Sequence, residues 1–319
     1  MFLRKQDLLK KVKIMSDQLQ GIFPVLPTPF DANGKIDRTS MSRVAKYAID
    51  AKVSGIVFPG FASEVEHLSC DERTTLLKDV ASEVGHKATV IAGASAETCS
   101  EVVQNGDIAL RLGINWLMIQ PPLSLGDDPA DITAFMSEIS KQLPTAMIIL
   151  QNAPKPRGLN LTPQAILKIV KSLPNVRYVK EETLPAGPAI TEILSDRPTH
   201  LHGVIGGGGA RYIIDEYKRG AAGAMPALEL VEHHVSLDRA WQDGDIKTAR
   251  RIYNETLPLL TVQAVYRMRL TKYVLLRRGI IKTTILRAPA PELDLIAKQS
   301  IDDQLSDLGL LTGWIKNTA

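Results

Sequence analysis

Cysteine is scarce in this chain: 319 residues contain two, Cys70 and Cys99, with no paired-ligand spacing. That excludes a disulfide framework and a zinc ribbon, and it fits a reducing compartment. No apolar run approaches the roughly 18 to 20 residues that a bilayer requires, so no membrane span or membrane partner is expected. Long Lys/Arg blocks are also missing. The net charge is only +3, so nothing demands nucleic acid, while small anionic substrates remain compatible. Met1 to Gln20 carry five lysines and arginines interrupted by Asp7 and Asp17, without the apolar core of a signal peptide. An appended amphipathic helix and a cytoplasmic location are the expectation. Finally, no G-x-G-x-x-G turn follows the first β-prone run, which disfavours a doubly wound dinucleotide fold.

What is present is ordinary globular composition, 45% hydrophobic and 23% charged. Eight short β-rich runs recur, each followed by a helical pattern: Gly21-Pro27, Gly55-Gly60, Thr89-Ala94, Trp116-Gln120, Ala146-Asn152, Val176-Glu182, Leu201-Gly206 and Ala221-Pro226. Their starts lie roughly 20 to 35 residues apart, the spacing of βα units with parallel pairing. Eight units predict an α/β chain folded as a (β/α)8 TIM barrel. Ser69-Cys70-Asp71-Glu72 reads as a capping box, and Thr162-Pro163 as a cap followed by proline at the first helical position. After Ala227 the pattern is helical throughout, over Val231-Gln242, Ile246-Leu259, Val262-Arg278 and Glu292-Leu308. The expected organisation is an extension at 1–20, a barrel at 21–229 and a C-terminal helical region at 230–319.

Within the sixth run, Val176-Arg177-Tyr178-Val179-Lys180-Glu181-Glu182, a strand abruptly acquires an ammonium and two carboxylates. A buried lysine is costly unless it is paired, neutralised or used. Strand alternation puts Val176, Tyr178, Lys180 and Glu182 on one face. A desolvated amine beside a carboxylate can release its proton near neutral pH and attack a ketone to form a Schiff base. The bland alternative is a strand ending in solvent with a surface ion pair. Barrel enzymes build their sites at the C-terminal ends of the strands. There Lys180 and Glu182 are joined by Thr28, Ser63, Glu64, Gln151, Asn152 and the glycines Gly206 to Gly209. Turn chemistry at strand ends explains Thr28, Gln151 and Asn152 equally well one at a time. The glycine run opens the segment Ala210-Arg219, so its amides can face an anion at a helix start. His200-Leu201-His202 has a spacing that metal sites use, but no third ligand accompanies it and it falls near a strand start, so no metal is expected.

Several spaced segments resemble the dihydrodipicolinate synthase and N-acetylneuraminate lyase superfamily. They are Gly21-Ile22-Phe23-Pro24-Val25-Leu26-Pro27-Thr28-Pro29-Phe30, Gly60-Phe61-Ala62-Ser63-Glu64 with Leu68 and Glu72, Asn152-Ala153-Pro154, Val179-Lys180-Glu181 and Arg219-Gly220-Ala221-Ala222-Gly223. The resemblance runs in order from Gly21 to past Gly279. It implies a barrel with C-terminal helices, a small 2-keto acid substrate such as pyruvate, and a homotetramer built as a dimer of dimers. It implies no metal or organic cofactor, and it implies that Lys180 is the Schiff-base lysine.

The chain departs from the superfamily's usual pattern in three places. The strand-2 loop usually reads Gly-Thr-Thr-Gly-Glu; here Phe61 and Ala62 replace the two hydroxyls, leaving Ser63 and backbone amides for the pyruvyl carboxylate. The usual Pro-Tyr after strand 4 is Pro121-Pro122-Leu123, and the strand-5 tyrosine is Gln151. With both phenols gone, the C4 oxygen of an aldol substrate loses its usual proton partner. Phe61-Ala62-Ser63-Glu64, Pro121-Pro122 and Gln151-Asn152-Ala153-Pro154 are instead similar to the sugar-acid dehydratase branch, such as 2-keto-3-deoxy-L-arabonate dehydratases. The expected function is therefore dehydration of a 2-keto-3-deoxy sugar acid, with Lys180 as nucleophile and Glu182 as base or acid. Thr28, Phe61, Ala62, Ser63, Gln151, Gly206 and Gly207 would contact substrate, and Glu64 and Asn152 would be structural. The alternatives are a pyruvate-dependent aldolase or synthase-like condensation, and a non-catalytic 2-keto acid binding protein on the same fold.

Overall fold

The computed structural model describes residues 18–311. The helix expected within the first 20 residues lies almost wholly outside them. Eight parallel strands alternate with helices in the order of a TIM barrel: β1 (Gly21–Ile22), β2 (Gly55–Phe58), β3 (Thr89–Gly93), β4 (Trp116–Ile119), β5 (Met147–Asn152), β6 (Val176–Glu181), β7 (Gly203–Gly206) and β8 (Gly223–Ala224). The ladder runs β1-β8-β7-β6-β5-β4-β3-β2. Parallel bridges from Val25 to Val57 and to Ala227 close the remaining seam. These bridges cover the edge strands that another chain could otherwise pair with.

The helices between strands are α1 (Arg38–Asp50), α2 (Cys70–Val84), α3 (Cys99–Arg111), α4 (Pro129–Gln142), α5 (Pro163–Lys171), α6 (Ala186–Ser195) and α7 (Ile213–Lys218). Their starts obey the expected chemistry. The Ser69 hydroxyl accepts from the Glu72 amide at 3.1 Å while the Glu72 carboxylate accepts from the Ser69 amide at 3.0 Å, satisfying two otherwise orphaned donors. Thr162 Oγ1 caps α5 by accepting from Ala165 N at 3.2 Å.

Side chains alternate between two apolar layers. Leu117, Ile148, Leu150, Val179 and Val204 pack outward against the helices. Phe23, Val57, Ile91, Trp116, Met118, Ile149, Tyr178, Ile205 and Met225 fill the barrel. Each such buried side chain stabilises the fold by about 1.5–3 kcal/mol, and Ile149→Ala would open a void costing about 2–5 kcal/mol. The strict face assignment for β6 is corrected at one residue. Val176 packs outward with Val179, not inward with Tyr178, because the pairing register with β5 shifts between Ile148 and Ile149. Beyond the shift, alternation aims Tyr178 and Lys180 inward.

After β8 come α8 (Val231–Gln242), α9 (Ile246–Tyr266), α10 (Met268–Arg277) and α11 (Leu295–Asp307). The expected break near Leu259 is absent: α9 runs on through Pro258 to Tyr266. The chain turns instead at Arg267, whose φ of 47° and ψ of −122° are those of neither helix. These helices are tied to the barrel through a fully buried pair, Lys272 Nζ to Glu64 Oε1 at 2.6 Å. No helix among the described residues is long and apolar enough to cross a membrane.

Candidate active site

Register builds the site. Gln151, the penultimate residue of β5, is the pairing partner of Lys180 on β6, so an amide and an amine leave the barrel mouth side by side. One position past the end of β6, Glu182 returns to the same face. Lys180 Nζ lies 2.9 Å from Glu182 Oε1, with the two side chains only 5% and 9% exposed. Gln151 Nε2 donates to that same oxygen at 2.7 Å. Burial opposes the charge on Glu182, yet Lys180, Arg157 and Gln151 hold its carboxyl below the usual carboxylate range. The pair therefore stands as an ion pair with the second carboxylate oxygen uncommitted to either neighbour.

These groups line a cavity of about 80 Å³ together with Val25, Phe61, Ala62, Gly208, Gly209 and residues of α9 and α10. Phe61–Ser63 form a tight helical turn at the end of β2. Its leading amides have no earlier carbonyl within the turn to bond, which leaves them suited to an anion. Phe61 and Ala62 border the cavity. Thr28 and Ser63 do not. Thr28 Oγ1 donates to Ser63 O at 2.7 Å, while Ser63 Oγ donates to Leu26 O at 2.5 Å and accepts from Gly60 N at 2.9 Å. Both hydroxyls are spent on shaping the loop behind the cavity wall. Glu64 faces away as well: besides Lys272 it accepts from the amides of Arg287 and Ala288, each at 2.7 Å.

Asn152 and Glu181, the last residues of their strands, point into the layer outside the barrel. Asn152 Nδ2 donates to Glu181 Oε2 at 2.9 Å and to Leu161 O at 3.0 Å, and its oxygen accepts from Leu161 N. Burial raises the Glu181 carboxyl despite those bonds and the Thr183 hydroxyl. The glycine run also differs from expectation. Gly208–Ala210 make a tight turn, and the following helix begins only at Ile213. Gly206 and Gly207 allow close approach of two carboxylate side chains. A Cβ on Gly206 would fall 2.0 Å from Glu216 Oε2, and one on Gly207 2.3 Å from Glu182 Cγ.

Glu216 is the residue that pattern reading missed. It is 1% exposed, its Oε2 has no hydrogen-bond partner, and burial, then the charge of Glu182, pushes its carboxyl from 4.5 up to about 8. At neutral pH it is a protonated acid on the other side of the two glycines from Glu182. The available signal was its helical face, since Glu216 follows Ile213 by three residues on a side that Tyr217 also buries. His200 Nε2 is bonded to Val170 O at 2.9 Å, and His202 packs edge-on against Tyr178. Among the described residues no three His, Cys, Asp or Glu side chains gather as a metal site would require.

The eight-stranded parallel barrel, with a paired, sheltered amine at its C-terminal mouth, places the chain among TIM barrels built to carry an active site at that face. Comparison with known proteins gives the family. Residues 18–308 match the dihydrodipicolinate synthetase family, and the chain is a member of it. It is 28% identical to a 4-hydroxy-tetrahydrodipicolinate synthase of Pelodictyon phaeoclathratiforme, covering 92% of this chain and 98% of that one. It is 27% identical to an L-2-keto-3-deoxyarabonate dehydratase of Azospirillum brasilense, covering 86% and 89%. The crystal structure of dihydrodipicolinate synthase from Rhodopseudomonas palustris superposes with a TM-score of 0.84 at 25% identity, over 91% of this chain and 98% of that one. The protein is thus a lyase of this family, acting on a carbon–oxygen or a carbon–carbon bond.

Proposed function

We propose that this lyase dehydrates a 2-keto-3-deoxy sugar acid through a Schiff base on Lys180. The observation that carries the reading is the buried Lys180–Glu182 pair at the cavity, with glutamine where a phenol would otherwise relay protons. Glu182 takes one proton from the Lys180 ammonium, and the freed amine attacks the C2 ketone. Glu182 returns that proton as the carbinolamine loses water, which leaves an iminium and a carboxylate again. The iminium acidifies C3. Glu182 removes the C3 proton to give the enamine, then passes it to the C4 hydroxyl, which departs as water and leaves an unsaturated iminium. Hydrolysis releases the product and restores the amine. One carboxylate performs every transfer, so no phenol is required. The leading amides of the Phe61–Ser63 turn, those of Phe61 and Ala62, hold the C1 carboxylate, and Gln151 keeps Glu182 oriented.

The test is a panel of 2-keto-3-deoxy acids followed by mass spectrometry. Loss of 18 mass units with no pyruvate formed supports the dehydratase. Stoichiometric pyruvate release would make the enzyme an aldolase and overturn the reading, and affinity without turnover would make it a binding protein. The homotetramer implied by family resemblance is part of the proposal. Leu295 and Ile296, 83% and 79% exposed at the start of α11, and Leu184 at 63% are the apolar surface it would use, and sedimentation velocity decides it.

A further inference from the structure

We infer that the substrate carries a second carboxylate, at the end of the chain remote from the ketone, and that Arg211 and Arg267 bind it alongside Arg157. This inference rests on the Schiff-base reading, since it places the ketone at Lys180. All three arginines line the cavity that contains Lys180 and Glu182. Arg157 and Arg267 stack over Phe61, their guanidinium carbons 4.7 and 5.7 Å from the ring centroid. Arg211 Nη1 donates to Gln263 Oε1 at 3.1 Å. None of the three has a carboxylate within ion-pair distance among the described residues, although surface arginines elsewhere do. Burial, then the charges of Arg157 and Arg211, lowers the Arg267 guanidinium from its ordinary range.

Count the charge at the mouth. Lys180 and three guanidiniums face one anionic carboxylate, Glu182, because Glu216 is protonated. A 2-keto monoacid brings one negative charge and leaves the mouth two positive charges in excess. A planar carboxylate at the far end supplies the bidentate partner that guanidinium geometry suits. The backbone gives an independent sign. Arg267 holds a positive φ of 47° between α9 and α10, a conformation that disfavours any side chain and is maintained here with the guanidinium over Phe61. Retained strain of that kind points to a needed side chain. The substrate class is therefore the 2-keto-3-deoxy aldaric acids, with a carboxylate at each end, in preference to the aldonic acids that end in a hydroxymethyl group.

The experiment compares kcat/KM for aldaric and aldonic substrates of equal chain length and configuration. The diacid should be preferred on the order of 100-fold, the worth of a charged hydrogen-bonded pair. Arg211→Gln and Arg267→Gln should each collapse that ratio at least tenfold, whereas a merely structural effect would lower both substrates alike and leave it unchanged. Equal turnover of the two substrates by the wild type, or a ratio untouched by both variants, overturns the inference. Faster turnover of an aldonic acid phosphorylated at its terminal carbon would overturn the carboxylate. Pyruvate, which has no remote end, separates the two levels: if borohydride fails to fix it to Lys180, the Schiff-base reading itself has failed, and if it is fixed without any diacid preference, only the present inference has.

Discussion

Among the described residues, two buried lysine–glutamate pairs differ in what remains unsatisfied. Lys272 and Glu64 are 0% exposed at 2.6 Å. The ammonium also donates to Ile285 O at 2.7 Å and lies 4.2 Å from the Phe30 ring centroid, while the carboxylate takes two backbone amides. Every strong bond of that pair goes to protein, and its effect is to lock the loop after α10 onto the β2 loop. Lys180 and Glu182 share one oxygen with Gln151 and open onto a cavity. A saturated pair is architecture, because moving its proton would strand several partners. A pair with spare capacity and room for a ligand can do chemistry.

That contrast can be broken in graded ways. Glu182→Gln should lower kcat by about 10² to 10⁴, the range for a general acid–base group, with little change in melting temperature; an effect on stability alone would contradict its role. Lys272→Met should leave kcat nearly intact in the folded fraction but cost about 3–5 kcal/mol in denaturant unfolding, because the Glu64 charge stays buried without its partner. Lys180→Met should cost far less stability than Lys272→Met; similar losses would erase the distinction between the pairs. Gly207→Ala should displace Glu182, whose Cγ would be 2.3 Å from the new methyl, and reduce kcat by roughly 10- to 100-fold, as an ångström of misplacement does.

A pH-dependent effect on stability concerns Glu216. Its carboxyl is raised from 4.5 to about 8 in the folded chain, so between those values the folded state keeps a proton that the unfolded state has released. Its contribution to stability is complete below 4.5 and declines as pH rises toward 8, by at most about 1.4 kcal/mol per pH unit. Glu216→Gln lacks that proton equilibrium. Urea midpoints at pH 5.5 and 8 should therefore converge in the variant relative to the wild type, and an equal decline in both chains would show that Glu216 does not titrate in this window.

The eight strands were legible because β-rich runs with turn residues between them recur at βα spacing, and Lys180 stood out because a charge ended an apolar strand. The bulge opposite Val176 was not, since pairing register depends on β5 as well as β6. Thr28 and Ser63 carried plausible hydroxyls, but whether a hydroxyl faces ligand or backbone is decided by loop geometry that no periodicity reports. Arg211 and Arg267 were invisible for a different reason. The helical pattern runs through Arg267 without glycine or proline, and only three-dimensional packing places α9 and α10 over the mouth. Glu216 looked like one more charge on a short helix.

Everything turns on whether the Lys180 amine captures a carbonyl. Incubation with pyruvate and borohydride, followed by digestion and mass mapping, reads it directly. Schiff-base chemistry at Lys180 requires a single reductively fixed adduct there that is lost in Lys180→Ala; adduct-free wild-type protein, or an adduct retained in that variant, would contradict it.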